Sequence, residues 1–66
     1  MEKIYFSQNL NYLMQENNLS QVALAKKIEV TQSTISAWLS RKKEPRLINL
    51  VSLAHFFNIS IDELIK

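Results

Sequence analysis

Six cations fall within residues 26–46: Lys26, Lys27, Arg41, Lys42, Lys43 and Arg46, against Glu29 and Glu44. That segment carries +4, whereas residues 1–25 and 47–66 carry −1 each. Guanidinium forks and ammonium groups at this density suit oxyanions, and a basic segment within a folded chain suits a polyanion. A solvated loop accounts equally well for the charge taken alone. Immediately upstream stand Gln32, Ser33 and Thr34, whose uncharged side chains can both donate and accept hydrogen bonds.

Other chemistry has little to work with. His55 is the single histidine, with no H-x-x-x-H spacing or carboxylate cluster beside it to hold a metal. It is expected at the surface or in helix packing. Asp62 and Glu63 are adjacent, so on a helix they diverge and form no catalytic pair; they read as first-turn charges complementing a helix dipole. No recognisable motif places a base beside any serine. The chain has no cysteine and no glycine. The first absence excludes disulfides and thiolate metal sites; the second excludes the Walker loop and the dinucleotide fingerprint. The chain is therefore read as a non-enzyme without a cofactor.

The elements that must position these residues are helical. Phe6, Leu10, Leu13 and Met14 lie at i, i+4, i+7 and i+8 on one helix face, and Asn17-Asn18 ends that helix. Ser20 caps a second helix with inner face Leu24, Ala25 and Ile28. After a break at Glu29-Val30, Thr31 caps a third, with Ile35, Trp38 and Leu39 inward. Pro45 closes the basic loop and is expected to begin a fourth helix itself. The apolar spacing there predicts Leu47, Leu50, Val51, Ala54 and Phe57 as the inner stripe, closed by Asn58. Ser60 and Glu63 have capping-box spacing for a short fifth helix carrying Ile61, Leu64 and Ile65.

Sixty-six residues allow one domain, with 47% apolar content to build its core by packing alone. No apolar run approaches the ~20 residues of a membrane span, and Met1 to Leu10 lacks a signal-peptide core. A cytoplasmic protein without membrane association is expected.

From Gln21 onward, apolar residues stand at the fourth, eighth, tenth, fifteenth and eighteenth positions: Leu24, Ile28, Val30, Ile35 and Trp38. Ala25 occupies the fifth, where a small residue lets two short helices cross closely. With Gln21, Thr31, Ser36, Pro45, Leu50, Leu53, Ala54, Phe57 and the tail Asn58–Leu64, this pattern resembles the helix-turn-helix of the lambda-repressor-like, or Cro/XRE, family over nearly the whole chain. Three departures stand out. Glu29 replaces the glycine of the turn, and Arg41 replaces a second glycine in the loop. Met14 and Leu39 replace an arginine–glutamate pair common in relatives, a coupled exchange of an ion pair for a packing contact.

The resemblance implies an all-α, five-helix DNA-binding domain spanning residues 1–66, with the third helix in the major groove. Gln32, Ser33 and Thr34 would meet base edges, and Ala37 one turn on would offer apolar contact. Gln32 could pair bidentately with adenine. Ser20 and Gln21 at the second helix N-terminus, and Arg41, Lys42 and Lys43 in the loop, would hold backbone phosphates. Arg46 would reach the minor groove, and Lys26 and Lys27 are weaker candidates. The implied partner is a double-stranded DNA operator, an inverted repeat bound by a homodimer formed through Phe56, Ile59 and Ile61. A repressor is expected, either complete and Cro-like or the N-terminal part of a longer one. An antitoxin, or a protein-interaction module on the same fold, is the alternative.

Overall fold

A computed structural model describes residues 5–66; Met1–Ile4 lie outside the described residues. Five helices follow one another: α1 Phe6–Glu16, α2 Gln21–Ile28, α3 Gln32–Leu39, α4 Leu47–Phe57 and α5 Ile61–Ile65. They enclose one core of Phe6, Leu10, Met14, Leu24, Ala25, Ile35, Trp38, Leu53 and Leu64. Phe6 meets Trp38 edge to face with centroids 5.9 Å apart. Met14 is in this core and Leu39 packs against it, so apolar side chains fill both positions.

Short polar side chains start three helices. The hydroxyls of Ser20, Thr31 and Ser60 accept from the backbone N–H groups of Ala23, Thr34 and Glu63 at 3.0, 3.1 and 3.0 Å. Pro45 differs from expectation: it precedes α4 instead of starting it, and the N-cap is Arg46, whose side chain makes no capping bond.

The chain stops its helices without glycine. Asn18, Glu29, Arg41 and Asn58 adopt positive φ of 53, 59, 65 and 56°. Each is followed by a backbone bond back to the preceding helix: Leu19 to Met14, Val30 to Ala25, Lys42 to Ala37 and Ile59 to Ala54, all within 2.9–3.0 Å. These are Schellman-type ends, which ordinarily add an apolar contact from the residue after the left-handed one. Leu19, Val30 and Ile59 supply it by packing on the core. At the fourth end that residue is Lys42, which is exposed. Both family-glycine positions, Glu29 and Arg41, are thus left-handed, at a strain of order 1 kcal/mol each.

The register of α4 differs from the expected stripe. Leu53 and Ala54 are buried, with Leu50 and Phe57 against the core. Leu47 and Val51, expected inside, are 70% and 47% exposed. Ile48 and Phe56 are also exposed, at 66% and 37%. The C-terminal patch expected from Phe56, Ile59 and Ile61 does not assemble: Ile59 packs on the core and Ile61 is half-buried, so only Phe56 is exposed. The open apolar surface lies along α4 instead.

The remaining ties fix α1 as a strut. The Tyr5 backbone N–H donates to the Ile65 carbonyl at 2.8 Å, and Asn9 Nδ2 donates to the Leu64 carbonyl at 2.9 Å. Ser7 Oγ donates to the Trp38 carbonyl at the end of α3. The helix carrying the polar residues 32–34 is thereby held at its C-terminal end by α1.

Candidate nucleic-acid interface

Two short helices pack closely at the α2–α3 crossing, where Ala25 is buried. This crossing brings the start of α2 beside the start of α3. Gln32 Nε2 donates to Gln21 Oε1 at 2.5 Å. An amide nitrogen has two N–H groups and an amide oxygen has two lone pairs. Gln32 therefore keeps one N–H and its Oε1 free, the pair needed for the N7 and N6 edge of adenine. Gln21 keeps its own N–H groups for an oxyanion.

Neither α2 nor α3 carries an acid in its first turn. α5 does, with Asp62 and Glu63. The positive dipole end of α5 is thus complemented internally, whereas those of α2 and α3 remain available to an external anion. Ser20 uses its oxygen to cap α2, which leaves its O–H proton free to donate. Ser33 and Gln32 are exposed. Thr34 is half-buried, and its hydroxyl lies 2.8 Å from Thr31 Oγ1, so it belongs first to the cap of α3. Ala37 is half-buried one turn further along.

The basic loop is wound onto the end of α3. The Ala37 carbonyl accepts from the backbone N–H groups of Lys42 and Lys43 at 2.9 and 3.3 Å. That fixes the loop backbone while Arg41, Lys42, Lys43 and Arg46 remain exposed. None of the four forms an ion pair with an acid among the described residues, where the observed pair is Lys66–Asp62 at 3.3 Å. Arg41 lines one shallow groove with Gln21, so the loop and the start of α2 border the same depression. Lys26 and Lys27 sit in the last turn of α2, where they complement its dipole.

Gln8 and Asn11 of α1 line that groove too. They were not singled out in the sequence. Their i, i+3 spacing on the polar side of α1 is the only local signal, and the groove arises from a non-local junction of α1, α2 and the end of α3. His55 is exposed on α4. On the exposed side of α1, a hydrogen bond and the negative charge of Glu16 raise the Tyr12 phenol above its ordinary value. No group of three or more potential metal ligands occurs among the described residues, and none of their helices is long and apolar enough to cross a membrane.

Comparison with known proteins places this geometry. A helix-turn-helix family model matches residues 10–64. The HTH-type transcriptional activator BcrR from Enterococcus faecalis is 37% identical over 61 residues, covering 92% of this chain and 30% of the activator. A transcriptional regulator from Listeria innocua superposes with a TM-score of 0.92 at 31% identity, covering 97% of this chain and 60% of that one. The SOS-response transcriptional repressor LexA from Eubacterium rectale gives 0.87 at 34% identity, over 92% and 65%. The restriction-modification controller protein C.AhdI from Aeromonas hydrophila gives 0.82 at 29% identity, over 89% of each chain. The chain thus spans under a third of the activator and under two thirds of the Listeria regulator.

Proposed function

Because the chain belongs to the Cro/XRE-type, lambda-repressor-like helix-turn-helix family, we propose that it regulates transcription by binding double-stranded DNA sequence-specifically. The observation that carries this reading is the Gln21–Gln32 bond. It joins an anion-receptive helix start to an exposed base-reading amide, the pairing of backbone positioning with edge readout that specific DNA binding needs.

In this reading α3 enters the major groove. Gln32 and Ser33 meet bases, the Thr34 methyl and Ala37 give apolar contact, and shape readout adds to this sparse set. Ser20, Gln21, Arg41, Lys42 and Lys43 hold phosphates, and Arg46 extends toward the minor groove. Gln8 and Asn11 widen the phosphate-facing rim.

Residues 1–66 act as one binding unit in the cytoplasm, with no catalytic role. Two copies occupy an inverted repeat, with half-sites about one helical turn apart. Repression by occlusion needs nothing beyond occupancy, which this surface supplies; activation needs a further protein contact. The relatives named above include one of each kind.

The test is anisotropy of a labelled duplex titrated with the protein at several salt concentrations. Binding whose logarithm falls linearly with log salt, with competition that differs between duplex sequences, is expected. Equal competition by every duplex sequence would overturn specific recognition, and no binding even at low salt would overturn DNA binding altogether.

A further inference from the structure

A depression of about 270 Å³ adjoins the groove that Gln8, Asn11 and Gln21 line. It lies between the start of α1, the basic loop, the start of α4 and the end of α5. Its floor is apolar: Phe6 is buried, and Pro45, Leu50 and Ile65 are half-buried. Its rim is charged: Arg41 and Lys43 are exposed, and Glu44 stands beside them. Among the described residues, neither cation forms an ion pair with Glu44 or another acid.

From this we propose that the depression binds a small monocarboxylate with an apolar body, free in solution, and that this ligand weakens the hold on DNA. Each part of the site selects one part of the ligand. Covering the floor takes apolar surface out of water, which suits a hydrocarbon or aromatic body. The Arg41 guanidinium matches a carboxylate bidentately, with the Lys43 ammonium as a second donor. Two cations against one acid leave a single net positive charge, which one negative charge balances; a dianion would meet Glu44. The volume falls just below the ~300–1,000 Å³ of clefts for drug-sized ligands. A helix or a peptide of several residues is therefore too large.

The link to DNA is Arg41. It lines both depressions, as does Ser7. Ser7 is tied, since its hydroxyl donates to the Trp38 carbonyl. Arg41 is exposed and ends in a long rotatable side chain. A guanidinium turned to a carboxylate on the apolar side is withdrawn from a phosphate on the other. The backbone fits this role: at φ 65° a glycine would relieve strain but delete the shared guanidinium. By linkage, bound DNA weakens the carboxylate by the same factor. This coupling rests on the DNA-binding reading; the site itself does not.

NMR titration with phenylacetate, without DNA, tests the site. Saturable shifts of the Leu50 and Ile65 methyl signals are expected, with a dissociation constant on the order of 1 mM for about ten non-hydrogen atoms. Phenylacetamide has the shape without the charge, and acetate the charge without the body; each should bind about tenfold more weakly. Lys43→Ala should weaken phenylacetate by about threefold. Lys42→Ala removes the same charge beside the depression and should leave phenylacetate binding unchanged. In anisotropy titrations at constant ionic strength, saturating phenylacetate should lower duplex affinity by about fivefold, whereas acetate should not. The same phenylacetate concentration should not alter the residual duplex affinity of Arg41→Ala.

Absent methyl shifts, equal binding of phenylacetamide, or equal losses from Lys42→Ala and Lys43→Ala would overturn the site. Phenylacetate bound there with duplex affinity unchanged would overturn the coupling. The NMR arm contains no DNA. A protein that binds phenylacetate as expected but no duplex would uphold the site and refute the DNA-binding reading alone. Specific DNA binding without phenylacetate shifts would do the reverse.

Discussion

Gln32 and Gln21 lie eleven residues apart and share a side-chain hydrogen bond of 2.5 Å from Nε2 to Oε1. The bond fixes which way the Gln32 amide faces, and so decides which base edge it can complement. Replacing Gln32 with Ala should relax preference at one or two base pairs by about 1–3 kcal/mol. Replacing Gln21 with Ala should lower overall affinity through the lost phosphate donor and also blur the same base pairs. A double-mutant cycle on the cognate duplex should give a coupling of about 0.5 kcal/mol or more. Additive losses would mean that the two amides act independently.

Lys42 and Lys43 are held by their backbone and free at their ends. Substituting either with Ala should reduce the slope of log affinity against log salt by about 0.9. The rank order of duplex sequences should not change, because phosphate contacts carry no direct sequence information. Anisotropy titrations at four or five salt concentrations measure both quantities.

Glu29 and Arg41 share a left-handed backbone but not a role. Glu29→Gly should stabilise the fold by about 0.5–1 kcal/mol, the relief of strain being partly offset by unfolded-chain entropy. DNA affinity should be unaffected or slightly raised. Arg41→Gly should stabilise similarly and weaken DNA binding. Urea denaturation with parallel binding assays distinguishes them. Retaining strain at the one helix end followed by an exposed lysine is what a functional compromise would look like.

The two leucines of α4 should behave oppositely. Leu53→Ala removes a fully buried side chain and should cost about 2–5 kcal/mol, a large share of the stability of a chain this small. Leu47→Ala, at an open position, should change thermal stability by less than about 0.5 kcal/mol. Equal losses would restore the stripe expected from spacing.

That contrast shows where the sequence was legible. α1 has polar residues between its apolar ones, so spacing alone identified Phe6, Leu10 and Met14 as buried. The caps Ser20, Thr31 and Ser60 were readable because a short hydroxyl before an apolar helix has few other local uses. In α4 the spacing places Leu50, Ala54 and Phe57 correctly but not Leu47 and Val51, because the helix is apolar nearly all round and a 3.6-residue period cannot choose between two apolar faces. Only contact with α2 and α5 chooses. At the interface, residue type and the family pattern marked Gln32 and Gln21 separately. Their bond and the grouping of Gln8 and Asn11 with Gln21 arise from tertiary packing, whereas the engagement of the Thr34 hydroxyl by Thr31, three residues away, belongs to the local cap of α3.

The most direct measurement is selection of bound duplexes from a random pool at near-physiological salt, followed by sequencing. Sequence-specific recognition by α3 predicts an enriched motif, arranged as an inverted repeat with half-sites about one helical turn apart. Salt-sensitive retention with no enriched sequence would leave only electrostatic attraction to the backbone and would contradict the base-reading role of Gln32 and Ser33.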